Sequence, residues 1–474
     1  MPREIPRKTR HRPSKYAESE APDCLRVRRF FNTPGGVCWR PLEDLLPAPR
    51  TTAHSRREFA RLFAVGGSAA LFAARAEASP VAPPEQAPAN ADERYWQKVR
   101  DAFLMPPGYV YLNAANLCPS PAAVLTASDA ATRSVDADPS NQNRAKTRDG
   151  REATRVALGA MLRVSPAEIV ITRNTSESNN IVSSGLDLKA GDEVLLFSDN
   201  HPSNLAAWRV KAQRFGFSVK VVDHLQPHPG VEYYIDAFRK QITPATKLLA
   251  LTHVTSSVGD VLPVKELCAL ARERDVLSLV DGAQSFGVLD VSLREMQPDF
   301  YSGSAHKWPC GAKETGVLFV NARVHDRIHA SVVSLYGGGV GISQRLEAYG
   351  QRDEAAIMGF GAAVDFQKSI GLAAIEKRSR HLTALAIAGL KKIEGVKVWT
   401  HDDPARSTTV VSFQAGNLDT RRLHQALYEK DRVVCATRGG SDRPGLRFSP
   451  HFYNLESDIE RAVAAVKRYM AQGV

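Results

Sequence analysis

The sequence predicts an α/β fold in which a mainly parallel sheet lies between helices, followed by a smaller α+β domain. Two observations predict the first part. From Trp96 onward, short apolar runs alternate with amphipathic stretches of helical period, and polar residues follow several of those runs directly. A third observation predicts the second part: after about Ser369 the alternation gives way to long helical stretches and isolated strands.

Six apolar runs have the length and character of buried strands. They cover residues 169–172, 193–197, 248–252, 277–280, 299–303 and 317–320. Residues 264–274 predict a helix that buries Leu267, Leu270 and Ala271 on one face. In the C-terminal part we expect helices over 372–393 and 457–470, and strands over 396–399, 409–413 and 433–436.

These patterns divide the chain into five segments. Residues 1–54 are rich in Arg and Pro without periodicity and predict a disordered extension. Residues 55–78 predict a signal peptide, and the Pro- and Ala-rich start of 79–95 predicts a linker. We expect a large domain over 96–368, whose first part (96–130) packs with a small domain over 369–474.

The predicted signal peptide resembles those of the twin-arginine (Tat) pathway. It contains the letters SRREF at 55–59, a weakly apolar stretch over 62–74, then Arg75 and the small-residue pattern AEA. A chance arginine pair before an Ala-rich helix is the alternative. The resemblance implies that the twin-arginine translocon exports a folded protein to the periplasm or beyond. The apolar stretch is too short to span a bilayer, so we predict no membrane span.

Charge and cysteine content limit the kinds of ligand that the sequence predicts. The formal net charge is +11, but residues 1–78 carry +7 of it and the remainder only +4. Because no stripe of basic and aromatic residues appears, the sequence argues against nucleic-acid binding. The six cysteines show no CxxC pair and no metal-ligand spacing, which predicts no metal site. A disulfide between two of the last four stays open for an exported protein.

An acid and a lysine follow two of the predicted strands. Asp281 ends the run that begins at Leu277, and Lys307 lies just past the run that ends at Gly303. Such a pair can hold pyridoxal 5'-phosphate (PLP): the lysine forms a Schiff base, and the aspartate keeps the pyridine nitrogen protonated. The pair predicts a small-molecule enzyme that uses this cofactor.

Other polar residues follow the neighbouring strands. Thr175 and Ser176 open a predicted helix, where hydroxyl and free N–H groups can bind a phosphate, although a plain N-cap is the alternative. His201 can stack on a flat cofactor and relay protons, or it is a structural or exposed histidine.

Three more candidates lie close to the acid and the lysine. Gln284 follows Asp281 by three residues and is placed to bond the phenolic oxygen of the cofactor, and Ser304 and His306 flank Lys307 as phosphate donors. Because open α/β sheets bind ligands at the carboxyl ends of their strands, we expect all these side chains in one site.

From about Tyr111 to the C-terminus, the chain resembles the class V aminotransferases of PLP fold type I. This family includes cysteine desulfurases, isopenicillin N epimerases and kynureninases. The matching motifs are RNTSESNN at 173–180, GDEVLLFSDNH at 191–201, HVTSSVGDVLPV at 253–264, VDGAQSFG at 280–287, SGSAHKWPCG at 302–311, YGQR at 349–352 and GLRFSPHFYN at 445–454. The resemblance implies a homodimer with PLP at the subunit interface.

The family resemblance also implies roles for individual residues. Lys307 is implied as the Schiff-base residue, Asp281 as the pyridinium partner, His201 as the stacking residue and Gln284 as the phenolic-oxygen partner. Phosphate binding is implied for Thr175, Ser176, Ser304, His306 and, from the neighbouring subunit, Gln351, which stands where the family often has a threonine. Substrate binding is implied for Arg447, which grips the α-carboxylate, and for Asn113. A salt bridge is the alternative for Arg447.

The residues favour one reaction among several. A cysteine desulfurase needs a cysteine on the loop before the carboxylate-binding arginine, and residues 438–444 contain none. Transamination, Cα epimerisation as in isopenicillin N epimerases, and C–S cleavage remain. Transamination makes the fewest demands, since it needs only Lys307 and room for a second amino acid or keto acid. We therefore expect aminotransferase-type chemistry on a periplasmic small molecule or peptide. In this respect the chain resembles the exported PLP enzymes that tailor siderophores.

A degenerate PLP fold used for binding is the non-enzymatic alternative, and the intact pair of Asp281 and Lys307 argues against it.

Overall fold

A computed structural model describes residues 84–439 and 442–474. The predicted extension, the predicted signal peptide and the start of the predicted linker lie outside the described residues. Among the helices described, none is both long and apolar enough to cross a membrane.

A seven-stranded sheet forms the centre of the described unit. The strands are β2 (Ile169–Thr172), β3 (Glu193–Phe197), β4 (Ser218–Val222), β5 (Thr246–Thr252), β6 (Leu277–Asp281), β7 (Phe300–Ser304) and β8 (Gly316–Val320). Their spatial order is β2-β8-β7-β6-β5-β3-β4. Strands β4, β3, β5, β6 and β7 pair in parallel. The predicted α/β fold with a mainly parallel sheet is confirmed.

Two features of this sheet escaped the sequence analysis. Strand β4 lies at the edge, where Ser218 and Lys220 interrupt the apolar pattern, so it was not predicted. Strand β8 pairs antiparallel with both β7 and β2. No helix separates β7 from β8, and a parallel return would need a crossover connection, so the chain turns back antiparallel.

Helices surround the sheet. Those of the first part are α1 (Glu93–Asp101), α2 (Ala122–Ala137), α3 (Asn141–Leu162), α4 (Thr175–Gly185), α5 (Pro202–Phe215), α6 (Val231–Gln241), α7 (Val264–Glu273), α8 (Leu293–Met296), α9 (Ser343–Leu346) and α10 (Glu354–Ile370). Helix α7 buries Leu267, Leu270 and Ala271, as its period predicts. Helix α1 is capped by Asp92 and begins within the range expected for the linker.

The C-terminal part contains a four-stranded antiparallel sheet of order β12-β13-β10-β9. Its elements are α11 (Leu372–Lys391), β9 (Val396–Val398), β10 (Val411–Ala415), α12 (Thr420–Asp431), β11 (Val433–Val434), β12 (Ala436–Arg438), β13 (Gly445–Phe448) and α13 (Glu456–Gln472). Strand β10 starts two residues later than predicted because Thr409 has a left-handed backbone with φ of 52°. The strand expected over 433–436 is divided at Cys435.

The segment before α2 contacts this C-terminal part. The short strand β1 (Val110–Tyr111) pairs in parallel with β11, and Ala114 N donates to Ser449 O at 3.2 Å. Arg100 on α1 forms a buried ion pair with Asp458 on α13. These contacts bring residues 110–116 to the carboxyl edge of the large sheet, where the predicted site residues lie.

Candidate active site

A cavity of about 790 Å³ opens at the carboxyl ends of β3, β5, β6 and β7. Ten of the eleven side chains predicted for the site line it: Asn113, Thr175, Ser176, His201, Asp281, Gln284, Ser304, His306, Lys307 and Arg447. The sheet therefore brings together residues that are up to 334 positions apart in sequence. Gln351 lies elsewhere, and its side-chain oxygen accepts a hydrogen bond from Arg144.

Lys307 lies on the tight turn that follows β7. Its carbonyl accepts a hydrogen bond from Cys310 N at 2.9 Å, which closes the turn. Burial lowers the pKa of the Lys307 amine from 10.5 to about 8, since removal from water disfavours the charged form. The negative charge of Asp281 opposes this shift of the pKa, and the positive charge of Arg447 adds to it. Roughly a tenth of the amine is then unprotonated at pH 7, far more than for an ordinary lysine.

Asp281 ends β6 and is held by two donors. Its Oδ2 accepts from Asn179 Nδ2 at 2.9 Å, and its Oδ1 accepts from Ala283 N at 3.0 Å. Asn179 is fixed in turn, because its Oδ1 accepts from Ser302 Oγ at 2.7 Å. The sequence analysis missed Asn179. Its position one helical turn after Thr175 places both on the same face of α4, and that spacing could have identified it.

Hydroxyl groups gather at the start of α4. Thr175 N donates to Ser304 Oγ at 2.8 Å, and the two hydroxyl groups are also 2.8 Å apart. The N-cap of the helix is Asn174, whose side chain accepts from Glu177 N at 3.0 Å. Thr175 and Ser176 are therefore the first helical residues, at the end of a helix where anions bind.

Two histidines that line the cavity, His201 and His306, are shifted toward the neutral form. Burial, with the positive charges of Lys307 and Lys313, lowers the pKa of His306 to about 4. Partial removal from water and the charge of Lys307 also lower the pKa of His201, although this side chain remains exposed at the mouth of the cavity. His201 caps α5, and its Nδ1 accepts from Ser203 N at 3.3 Å, so the proton of the neutral ring is on Nε2.

Gln284 is oriented by two hydrogen bonds. Its Nε2 donates to Ala115 O at 2.9 Å, and its Oε1 accepts from Trp308 Nε1 at 2.8 Å. One hydrogen of the Nε2 amide remains for a ligand in the cavity. Sequence reasoning found Gln284 but neither Ala115 nor Trp308, because these contacts form only when three separate segments meet.

Arg447 on β13 is a buried cation that has no acidic partner among the described residues. It is only 6% exposed. Its Nη1 donates to Ser256 O at 2.8 Å and its Nη2 to Asn113 Oδ1 at 3.4 Å, while Nε has no partner. Burial, with the charge of Arg438, lowers the pKa of Arg447 to about 10. The salt bridge considered as an alternative is therefore not observed in the described part of the chain.

Cys435 also borders the cavity. Its side chain is buried, and burial raises the pKa of the Cys435 thiol to about 12. Because the thiolate is the nucleophilic form, this thiol is a poor nucleophile near neutral pH. The sequence predicts a strand over 433–436 that includes Cys435, and the structure places this residue between β11 and β12.

A second group of buried side chains lies outside the cavity. Sulfur and ring-nitrogen atoms of Cys118, Cys310 and His451 are within 4.8 Å of one another. His451 Nε2 donates to Trp308 O at 2.6 Å, and its Nδ1 faces Ser379 Oγ at 3.2 Å, so both ring nitrogens are engaged. The two thiols that remain are fewer than the four ligands of a structural zinc site. The four described cysteines are free thiols, and Cys24 and Cys38 lie outside the described residues.

Comparison with known proteins identifies the family. The family model described as "Aminotransferase class-V" matches residues 110–462. The chain belongs to this family of PLP-dependent enzymes, which confirms the predicted resemblance and the predicted cofactor.

Individual relatives cover most of the same region. The isopenicillin N epimerase of Amycolatopsis lactamdurans is 29% identical over 390 residues, covering 78% of this chain and 98% of the relative. A probable cysteine desulfurase of Xylella fastidiosa (strain 9a5c) is 29% identical over 408 residues, covering 78% and 94%. The fold is similar to that of a C-DES mutant with glycine covalently linked to its PLP cofactor, with a TM-score of 0.73, 24% identity and coverage of 78% and 98%.

The residues of the cavity fit PLP. An amine with a lowered pKa, a carboxylate held by Asn179 and a group of hydroxyls at a helix start match the aldehyde, pyridine nitrogen and phosphate of this cofactor. The unpaired guanidinium of Arg447 additionally suits a carboxylate. The cavity thus offers a partner for the aldehyde, the pyridine nitrogen and the phosphate of PLP, and Arg447 is a further cation that PLP does not require.

Proposed function

We propose that this chain acts on the amino group or Cα of an α-amino carboxylate and that its reaction is of the aminotransferase type. One observation carries the proposal: the buried guanidinium of Arg447 lines the same cavity as Lys307 and has no acidic partner among the described residues. A buried cation without a partner is costly, and a substrate carboxylate removes that cost.

Each residue then has a defined task. PLP, when bound, supplies an electron-withdrawing ring that stabilises negative charge at the substrate Cα. Arg447 binds the α-carboxylate and orients the amino acid, with Asn113 supporting one nitrogen of the guanidinium. Asn179 holds Asp281 in place. The Lys307 amine, with a pKa of about 8, can take and return the proton at Cα.

Transamination is favoured over desulfuration. Residues 438–444 contain no cysteine, and the buried Cys435 has a raised pKa. Epimerisation is the second candidate, because the isopenicillin N epimerase of Amycolatopsis lactamdurans is 29% identical over nearly its whole length. An epimerase would need acid–base groups on both faces of Cα, and Lys307 supplies one of them.

We place the enzyme in the periplasm or outside the cell, on the strength of the arginine pair and apolar stretch of residues 55–78. Its substrate is then a small molecule or peptide of that compartment. Cell fractionation of the producing organism tests this location. The expected result is protein in the periplasmic or secreted fraction, and its retention in the cytoplasm in the Arg56→Lys/Arg57→Lys double variant. An unchanged distribution of the double variant would contradict the assignment.

Incubation with amino acids in heavy water tests the reaction type. Transamination predicts release of a keto acid, transfer of the amino group to an added keto acid, and deuterium at Cα of recovered substrate with its configuration retained. Racemised, deuterated substrate would establish epimerisation instead, and pyruvate with a released thiol would establish C–S cleavage. The Lys307→Ala variant controls for free PLP, and none of these changes is expected with it.

A further inference from the structure

A second guanidinium lines the cavity besides Arg447. Arg438 is the last residue of β12, and it lies two residues after Ala436, which pairs directly with Arg447 on β13. Residues i and i+2 of a strand point to the same face of a sheet. Arg438 and Arg447 are therefore diagonal neighbours on one face of the small sheet, within reach of each other for long side chains.

Arg438 has no hydrogen-bond or ion-pair partner for its side chain within residues 84–439 and 442–474. The nearby carboxylates of Asp199 and Asp442 accept hydrogen bonds from other side chains. Arg443 donates to Asp199 at 2.9 Å and to Asp442 at 3.0 Å, and Ser257 also donates to Asp199. Arg438 thus contributes to the cavity a guanidinium that Asp199 and Asp442 stabilise only through space, without a hydrogen bond or ion pair.

The two arginines interact unfavourably. Burial lowers the pKa of Arg438, and the charge of Arg438 in turn lowers the pKa of Arg447. Two like charges in a partly desolvated cavity raise the free energy of the empty site, and anionic groups bound there would relieve it. One α-carboxylate satisfies only Arg447.

Arg438 lies on the substrate side of the cavity. Its charge lowers the pKa of His201 together with Lys307 and Arg447. The charges that lower the pKa of His306, by contrast, are those of Lys307 and Lys313. Arg438 therefore lies with Arg447 on the small sheet, whereas the hydroxyl groups of Thr175 and Ser304 lie where β7 of the large sheet ends and α4 begins.

We infer that Arg438 binds a second anionic group, on the side chain of the substrate, so that the enzyme selects α-amino acids with an acidic side chain. The inference rests on the proposed function, in which Arg447 binds the α-carboxylate. A bound substrate with an uncharged side chain would leave Arg438 desolvated and without an ion-pair partner. Acidic substrates would therefore bind more tightly than uncharged ones of the same shape.

Binding of matched amino acids to the PLP-loaded enzyme tests the inference. L-Glutamate and L-glutamine have nearly the same shape, as do L-aspartate and L-asparagine. Calorimetric titration, followed in parallel by the absorption spectrum of the bound cofactor, should give at least about tenfold tighter binding of one acid than of its amide. Arg438→Gln should remove this preference by weakening binding of the acid, with the amide and PLP affinities unchanged. Arg438→Lys should retain part of the preference.

Arg294→Gln is the matched control, since Arg294 is exposed on α8, which precedes the amino end of β7, whereas the cavity lies at the carboxyl end of that strand. It should leave the preference intact. Equal binding of acid and amide by the wild type would overturn the inference while leaving the proposed function standing. Weaker PLP binding in Arg438→Gln would also overturn it, because the arginine would then serve the cofactor. A PLP-loaded enzyme whose spectrum responds to no α-amino acid would instead contradict the proposed function.

Discussion

At the scale of single residues, Lys307 combines burial with a neighbouring negative charge. The two effects oppose each other, and burial is the larger, so the pKa of the amine falls to about 8. The neutral amine is the form that reacts with an aldehyde, and its fraction rises as the pH increases through this pKa.

The rate at which the PLP-free protein takes up PLP should therefore rise with pH and level off above about pH 8. Stopped-flow absorbance over a pH series measures this profile. An ordinary lysine, with a pKa of 10.5, would give a rate that still increases near pH 10. Such a profile would show that burial does not control the amine.

Asn179 provides a second test at this scale. Asn179→Leu removes the donor to Asp281 and leaves a buried carboxylate oxygen without its partner. A hydrogen bond to a charged group contributes about 1.5–3 kcal/mol, which corresponds to a PLP dissociation constant raised roughly 10- to 150-fold. Equilibrium dialysis with PLP measures this constant. Asn180→Ala, at the exposed next position of α4, should change it little, and equal losses in both variants would contradict the role of Asn179.

The residues that sequence reasoning found share a simple property. Asp281 ends an apolar run, and His201 and Lys307 each follow one within four residues, so a local pattern places each at the carboxyl end of a strand. Asn179 and Ser256 were missed because their roles depend on contacts with distant segments. A local sequence pattern contains no information on such pairings.

At the scale of elements, the junction between β6 and the following turn depends on a close approach. A Cβ atom on Gly282 would lie 2.1 Å from Cζ of Tyr301, a fully buried ring whose hydroxyl group is 2.9 Å from Ser285 Oγ. Only glycine fits between Asp281 and Ala283 without displacing β7.

Gly282→Ala should therefore destabilise the fold by about 1–3 kcal/mol, the usual cost of overpacking a core. Thermal unfolding measures the change. Gly150→Ala is the matched control. Gly150 lies within α3, where alanine suits a helix better than glycine, and a Cβ there would meet only the flexible end of the Met358 side chain. A melting temperature as high for Gly282→Ala as for the control would contradict the packing argument.

Most strands could be predicted because both faces of the central sheet are covered, which produces continuous apolar runs. The central strands β5, β6 and β7 lie within two residues of their predicted bounds. The edge strand β4, the antiparallel direction of β8 and the late start of β10 could not be predicted. They depend on sheet order, on the missing crossover helix and on the backbone conformation of Thr409.

At the scale of the whole molecule, an apolar segment faces solvent between β8 and α9. Val333, Leu335 and Tyr336 are 87%, 99% and 68% exposed. Contiguous exposed apolar side chains mark interaction surfaces, and the family resemblance implies a homodimer. We propose that this segment is covered by a second copy of the chain.

Leu335→Asp should then shift the protein from dimer toward monomer, because a charge would have to be buried in the interface. Light scattering after size-exclusion chromatography measures the mass. Val210→Asp, at a 60% exposed position of α5, is the control that should remain dimeric. A monomeric wild type, or a dimer unaffected by Leu335→Asp, would contradict the proposed surface.

The lysine that carries PLP can be identified chemically. Borohydride reduction of the PLP-loaded protein fixes the cofactor covalently, and peptide mapping by mass spectrometry locates it. We expect the PLP mass on the peptide that contains Lys307 and its loss in Lys307→Ala. Lys313 lies six residues away, and its Nζ donates a hydrogen bond to Cys118 O at 3.1 Å. Its peptide serves as an internal comparison that should remain unlabelled. Label on Lys313 or another lysine, or no label at all, would contradict the assignment of the site.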